Sequence, residues 1–253
     1  MQLKDVAVVI TGGGSGLGAA TARAMAAKGA KIGVLDQSKE NAEKVAAEVK
    51  GIALHADVTN EEQVRAAIAK AEAAHGVARV LMNCAGIGGS ARIVSKDGTT
   101  YPLEKFARVI NVNLIGTFNV LRLFAERLIP AEPIGEERGV IINTASVAAY
   151  EGQIGQIAYS ASKGGVVGLT LPAARDLAQH RIRVNTIAPG LFLAPLLMGL
   201  NEEARKSLGA QVPHPARLGD ASEYGNLAVH IVENPMLNGE TIRLDGAIRM
   251  APR

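Results

Sequence analysis

Short apolar runs alternate with longer helix-favouring stretches along this whole chain, and that alternation leaves few folds open. A buried parallel strand reads as a continuous apolar run of about four to eight residues, and it needs a crossover, usually a helix, before the next strand can lie beside it. The runs Val6–Thr11, Lys31–Asp36, Gly51–Ala56, Arg79–Asn83, Val140–Ala145, Arg183–Ala188 and Glu240–Leu244 fit seven such strands. Between them, Gly16–Gly29, Lys39–Lys50, Glu61–His75 and Leu103–Leu128 read as helices, the last with apolar residues at steps of three and four. The pattern predicts an α/β fold, a doubly wound and mainly parallel seven-stranded sheet with helices on both faces. With 253 residues, 48% of them hydrophobic, the chain can bury a sizeable core, and without repeats or linkers it reads as one domain.

Composition removes several classes of function. Trp is absent and aromatics make up 3% of the chain, so a stacking surface for bases or sugars is not expected. The formal charge is +3 and the basic residues are scattered, which argues against a nucleic-acid surface but leaves room for a phosphorylated substrate. The single cysteine, Cys84, excludes an internal disulfide framework and points to a reducing, cytoplasmic setting. A strand pattern from Val6 leaves no space for a signal or transit peptide, and no apolar run reaches transmembrane length. His55, His75, His180, His214 and His230 lack metal-site spacing, so no metal is expected.

The chemistry is expected between Ser146 and Gly168. Tyr159 and Lys163 are four residues apart in a helix-favouring segment, which brings both side chains to one face. An ammonium near a phenol stabilises the phenolate and can lower a tyrosine pKa by about one to three units. Taken alone, such a pair is commonly a half-buried ring beside a solvated charge. Here Ser146 ends the apolar run GVIINTAS, where a hydroxyl at a strand's carboxyl end can share a substrate oxygen with the phenol.

This Ser, Tyr and Lys arrangement resembles the active site of the short-chain dehydrogenases/reductases. The turn T11-G12-G13-G14-S15-G16-L17-G18, between a buried strand and a helix, is similar to that family's T-G-x-x-x-G-x-G, where a dinucleotide pyrophosphate meets helix-terminal amides. The resemblance implies a Rossmann-like domain in which Gly12, Ser15, Gly16, Leu17 and Gly18 hold the cofactor. Asp36, ending the second strand, can bond both adenosine ribose hydroxyls and would repel a 2′-phosphate, so NAD is expected rather than NADP; the plainer reading is a surface Asp at a strand end. By the same resemblance Asp57 and Val58 meet the adenine, and N83-C84-A85-G86 stands for N-N-A-G, with Cys84, Ala85 and Gly86 near the cofactor. Nothing near Cys84 suggests a thiolate nucleophile. Asn113 matches an Asn that kinks its helix and holds a water against the catalytic Lys; Asn111 reads as structural. Pro189-Gly190 matches the turn beside the nicotinamide. There the chain departs from P-G-x-x-x-T, because position 194 is Ala, and the backbone of Leu191 and Phe192 would have to do more.

The resemblance further implies hydride transfer between a secondary alcohol carbon and nicotinamide C4. In it Tyr159 is the general acid/base, Ser146 orients the substrate oxygen, Lys163 lowers the Tyr pKa and binds ribose, and Asn113 supports a proton relay. Within the family, the blocks around RGVIINTASVAAYEGQIGQIAYSASKGG, APGLF and NPMLNGETIRLDGAIRM are similar to a subgroup acting on 3-hydroxyacyl-CoA, with relatives that oxidise hydroxysteroids. That implies an acyl-CoA partner, a place in fatty-acid or branched-chain amino-acid breakdown, and a homotetramer. Arg92, Lys96 and Lys105 either meet CoA phosphates or belong to solvated loops, and the stretch 191–215, beginning LFLAPLLMGL, is expected to form a lid. The polar segments Gly88–Pro102 and Pro130–Arg138 either shape substrate choice or are solvated connections. A same-fold dehydrogenase of a steroid, polyol or acyl-carrier substrate, and a non-catalytic NAD-binding scaffold, are the other readings.

Overall fold

A computed structural model describes residues 1–193 and 201–252. Seven strands, β1 Ala7–Thr11, β2 Lys31–Asp36, β3 Ile52–His55, β4 Val80–Asn83, β5 Gly139–Thr144, β6 Ile182–Pro189 and β7 Thr241–Leu244, form one sheet in the order β3-β2-β1-β4-β5-β6-β7. Every pairing is parallel. The helices α1 Gly16–Ala27, α2 Lys39–Glu48, α3 Glu61–His75, α4 Leu103–Ile110, α5 Gly116–Leu128, α6 Ile157–Ala178, α7 Glu202–Gly209 and α8 Ala221–Glu233 cross between or cover the strands.

Both faces of a parallel sheet must be covered, so its strands are apolar on both sides. Val8, Ile10, Val140 and Ile142 pack under Met25 of α1 and Val229 of α8. Val9, Leu81, Ile141 and Val184 pack under Ile68 of α3 and Phe124 of α5. Helices α1 and α8 also meet each other, and Gly225 lets them close: a Cβ there would come within 3.0 Å of Ala24.

The long helix expected over Leu103–Leu128 is continuous but not uniform. Its middle, Asn111–Ile115, is a wide π-helical turn between α4 and α5, and Asn113 is fully buried within it. Such single wide turns commonly mark functional positions. Helix α8 was not anticipated from the sequence, although Asp220 and Glu223 form a capping box at its start and Tyr224, Ala228 and Ile231 make a buried stripe at helical spacing.

The segment Pro130–Arg138 corrects an expectation. It leads into the amino end of β5, opposite the carboxyl ends where parallel sheets bind ligands, so it does not shape a substrate cleft. Nor is it simply solvated. Glu137 is 7% exposed and its carboxylate lies 2.6 Å from Nε of buried Arg183, whose other N–H groups donate to the carbonyls of Ile231, Val232 and Leu237. This ion pair ties the loop before β5 to β6 and to the end of α8. Glu137→Ala strands a buried guanidinium and is expected to lower the unfolding free energy by about 3–5 kcal/mol in urea titrations; a loss below about 1 kcal/mol would show the pair to be solvent-screened.

Candidate active site

The strand order reverses at β1 and β4, and doubly wound sheets bind ligands in the crevice beyond the carboxyl ends at that point. β1 runs into the glycine turn, where Gly12 and Gly16 hold φ of +60° and +51°, a region only glycine enters without strain. A Cβ on Gly12 would lie 2.8 Å from the Ala85 backbone, and one on Gly18 would strike the Gly12 carbonyl oxygen. Ser15 begins α1 without a side-chain cap, and the first turn carries no acid, so the terminal amides have no anion of the chain's own. This turn fits a pyrophosphate. Leu17 packs on the core and accepts a hydrogen bond from Thr21 at its carbonyl.

The other expected cofactor residues gather along the same edge, several with bonds of their own. The Asp36 carboxylate accepts from the amides of Gly14 (3.0 Å) and Ser38 (2.9 Å), so it also braces the glycine turn. Asp57 accepts from Thr59 and faces the Gln37 amide at 3.4 Å, while the Val58 carbonyl accepts from Asn119. Ala85 donates to Thr11 Oγ1, and a Cβ on Gly86 would lie 3.3 Å from Asn113 Oδ1 and 3.6 Å from Lys163 Nζ. Across the crevice, Gly190 follows Pro189, donates to the Leu244 carbonyl and packs on Asp245. Leu191 accepts from Gly219, but the Phe192 ring turns into the core, edge-on to Tyr224 at 6.4 Å, so only its backbone borders the crevice. Ala194 and most of the LFLAPLLMGL stretch lie outside the described residues, and residues 202–209 of the expected lid form α7.

β5 ends at Thr144, and Ser146 then caps the short 3₁₀ turn Val147–Ala149, its Oγ accepting from the Ala148 amide at 3.1 Å. That bond uses an oxygen lone pair and leaves the hydroxyl proton available to the neighbouring Tyr159 oxygen. Tyr159 and Lys163 rise from the first two turns of α6, with Lys163 Nζ 5.7 Å from the Tyr159 ring centre. The buried ammonium donates to the Thr144 carbonyl at 2.7 Å. Asn113 locks this corner: its Oδ1 accepts from the Ile87 amide (2.8 Å), and its Nδ2 donates to the Ile87 carbonyl (2.9 Å) and to Ser162 Oγ (3.0 Å), which itself donates to the Tyr159 carbonyl. Asn111 is exposed and, among the described residues, makes no hydrogen bond to this corner.

Comparison with known proteins decides the family. Residues 6–205 match the sequence profile described as short chain dehydrogenase. The chain belongs to that family. It is therefore an oxidoreductase acting on CH–OH groups with a nicotinamide cofactor. The chain is 54% identical over 255 aligned residues to the Homo sapiens 3-hydroxyacyl-CoA dehydrogenase type-2, covering 99% of this chain and 98% of that one, and 48% identical to the Drosophila melanogaster protein of the same name, covering 99% and 100%. The crystal structure of 3-hydroxyacyl-CoA dehydrogenase type-2 from Mycobacterium avium superposes with a TM-score of 0.93 at 42% identity, covering 98% of this chain and 97% of that one. Among the described residues, no helix of this short-chain dehydrogenase is long and apolar enough to cross a membrane.

The electrostatics of this short-chain dehydrogenase differ from what the Tyr–Lys spacing suggests. Burial pushes the Tyr159 phenol above its usual range, and the group that opposes this is the Ser146 hydroxyl rather than the ammonium. Burial also drives Lys163 down to about 8, which weakens its charged form but still leaves the amine mostly protonated at neutral pH. The ammonium's hydrogen bond goes to Thr144, a residue the sequence reading passed over; Ser162 was missed as well, though it immediately precedes Lys163. Cys84 is no nucleophile, since enclosure pushes its thiol up to about 11.

Beyond β4, the segment Gly88–Pro102 folds back as a short hairpin, with Tyr101 donating to Ile93 and a Val94–Thr100 bridge. Ala91 donates to the Gly155 carbonyl, and together they border a cleft of about 440 Å³ lined also by Arg92, Gln153 and Ile154. Lys96 and Lys105 do not line it.

Lys163 supplies a stability test. Its folded-state pKa of about 8 lies below the unfolded value of about 10.4, so between these the unfolded chain holds more protons and stability rises with pH. Lys163→Met is expected to be more stable than the parent by about 1–3 kcal/mol at pH 7, with the advantage shrinking towards pH 10. Urea unfolding at the two pH values checks this, and equal or lower stability at pH 7 would contradict it.

Proposed function

We propose that the protein is an NAD-dependent dehydrogenase interconverting a 3-hydroxyacyl-CoA thioester and its 3-oxo form. The observation that carries the reading is the convergence of the Ser146 and Tyr159 hydroxyls, with Lys163 behind them, beside a glycine turn braced by Asp36. The thioester class rests on the names of relatives that match over nearly the whole chain, and Arg92 offers a cation in the cleft it shares with the loop before α6. NAD rests on Asp36, whose charge opposes a 2′-phosphate, and on Lys39, which lies 3.8 Å from Glu43 of its own helix.

A bound nicotinamide supplies the hydride acceptor or donor. The protein's residues do the rest. Gly12, Ser15, Gly16, Leu17 and Gly18 present amides to the pyrophosphate, Asp36 takes the ribose, and Asp57, Val58, Cys84, Ala85 and Gly86 border the adenosine. Pro189, Gly190, Leu191 and Phe192 border the nicotinamide through their backbone. Ser146, whose Oγ accepts from the Ala148 amide, turns its proton to the substrate oxygen. Tyr159 takes the alcohol proton in oxidation and returns it in reduction. Lys163 provides positive charge below the phenol, and Asn113, through Ser162, fixes the first turn of α6 on which Tyr159 stands. Developing negative charge on the substrate oxygen is thus met by groups already in place.

A homotetramer in a cytoplasmic, reducing setting completes the proposal. The exposed Ile115 and Phe118 on the long helix and the half-exposed β7 at the sheet edge supply apolar surface for partner subunits.

NADH oxidation with acetoacetyl-CoA is the assay. Tyr159→Phe is expected to lower turnover by about 10²–10⁴-fold while NADH binding, read by fluorescence, persists. Turnover with NADPH alone would refute the role given to Asp36, and activity on a steroid with none on the thioester would refute the substrate class. Because burial raises the phenol's pKa, kcat/KM for alcohol oxidation is expected to climb through the alkaline range and that for reduction to fall there. Parallel profiles in the two directions would assign the proton to another group.

A further inference from the structure

Tyr224 lies on α8, far along the chain from the Tyr159–Lys163 segment, and its side chain is fully buried. Its hydroxyl sits 2.6 Å from Thr144 Oγ1. Either oxygen could donate in isolation, but Thr144 spends its one hydroxyl proton on the Asn83 carbonyl, also at 2.6 Å, so Tyr224 is the donor. Thr144 is the last residue of β5, and the ladder to β4 stops one pair earlier, at Asn83 and Asn143. Its carbonyl, past that last pair, is the group that receives the Lys163 ammonium. A chain of hydrogen bonds therefore runs from α8 through the end of β5 to the base of α6. The titratable groups around it are Tyr159 on α6, Cys84 past β4 and Tyr224 itself.

We infer that Tyr224 is a positioning residue for Lys163, holding Thr144 by its hydroxyl so that the Thr144 carbonyl stays directed at the ammonium. The inference rests on the proposed dehydrogenase reading for its effect on turnover, but not for its effect on Lys163. Tyr224→Phe removes one oxygen and keeps the ring against Phe192, so folding is preserved. Without its anchor the carbonyl stabilises the charged amine less, and the Lys163 titration moves to lower pH.

The experiment is an NMR titration of isotopically labelled lysine side chains in the parent, Tyr224→Phe, Thr144→Val and the double variant, beside NADH-dependent acetoacetyl-CoA reduction. The expected result is a lower Lys163 midpoint in each single variant, no further fall in the double, and Thr144→Ser close to the parent. Turnover falls roughly tenfold with KM within about twofold, since an interaction acting at the chemical step lowers kcat. An unchanged Lys163 midpoint in Tyr224→Phe overturns the inference, as does a turnover loss accompanied only by a fall in Tm. If the parent itself shows no turnover, the dehydrogenase reading fails while the Lys163 midpoints still decide this one.

Discussion

The hydrogen bond from Lys163 to the Thr144 carbonyl is the interaction on which the site depends. An ammonium in the interior is costly unless it finds oxygen partners, and a strand carbonyl is most open to one where a ladder has ended. Here β4 stops before β5 does, leaving such a carbonyl below the crevice. The lysine can then be buried on α6 with Tyr159 one turn earlier on the same face.

Around that bond the fold supplies rigidity rather than additional chemistry. The parallel order brings β1, β4, β5 and β6 to end at one crevice, and buried polar side chains fix their ends: Thr11 to Ala85 and Asn83, Asn83 to Asn143, Thr144 to Asn83. The wide turn at Asn111–Ile115 lets Asn113 reach back to Ile87 and across to Ser162, joining α4, the loop after β4 and α6. Buried polar networks of this kind favour one arrangement, because most alternatives would strand further buried groups.

Much of this was legible in the sequence. Apolar runs and helix patterns gave all seven strands within about a residue or two at each end, because a parallel sheet buried on both faces leaves little ambiguity. The glycine turn was readable for a physical reason, since Gly12, Gly16 and Gly18 occupy positions a Cβ would block or strain. What stayed hidden depended on contacts between distant segments. Nothing local in Pro130–Arg138 shows that Glu137 is buried against Arg183, or that Phe192 turns to meet Tyr224. The Tyr–Lys spacing gave a shared helical face, but not the charge balance: burial, which a spacing does not encode, raises the phenol, and the group that opposes it is the Ser146 hydroxyl.

The central claim is that one substrate oxygen is held jointly by Ser146 and Tyr159 with Lys163 behind them. A crystal structure of the ternary complex with NADH and an unreactive 3-oxoacyl-CoA analogue measures this directly. The account predicts both hydroxyls within hydrogen-bonding distance of the 3-oxygen, with the ammonium still buried beneath the Tyr159 ring. A 3-oxygen bonded to neither hydroxyl, or a Tyr159 ring turned out of the crevice, would contradict it.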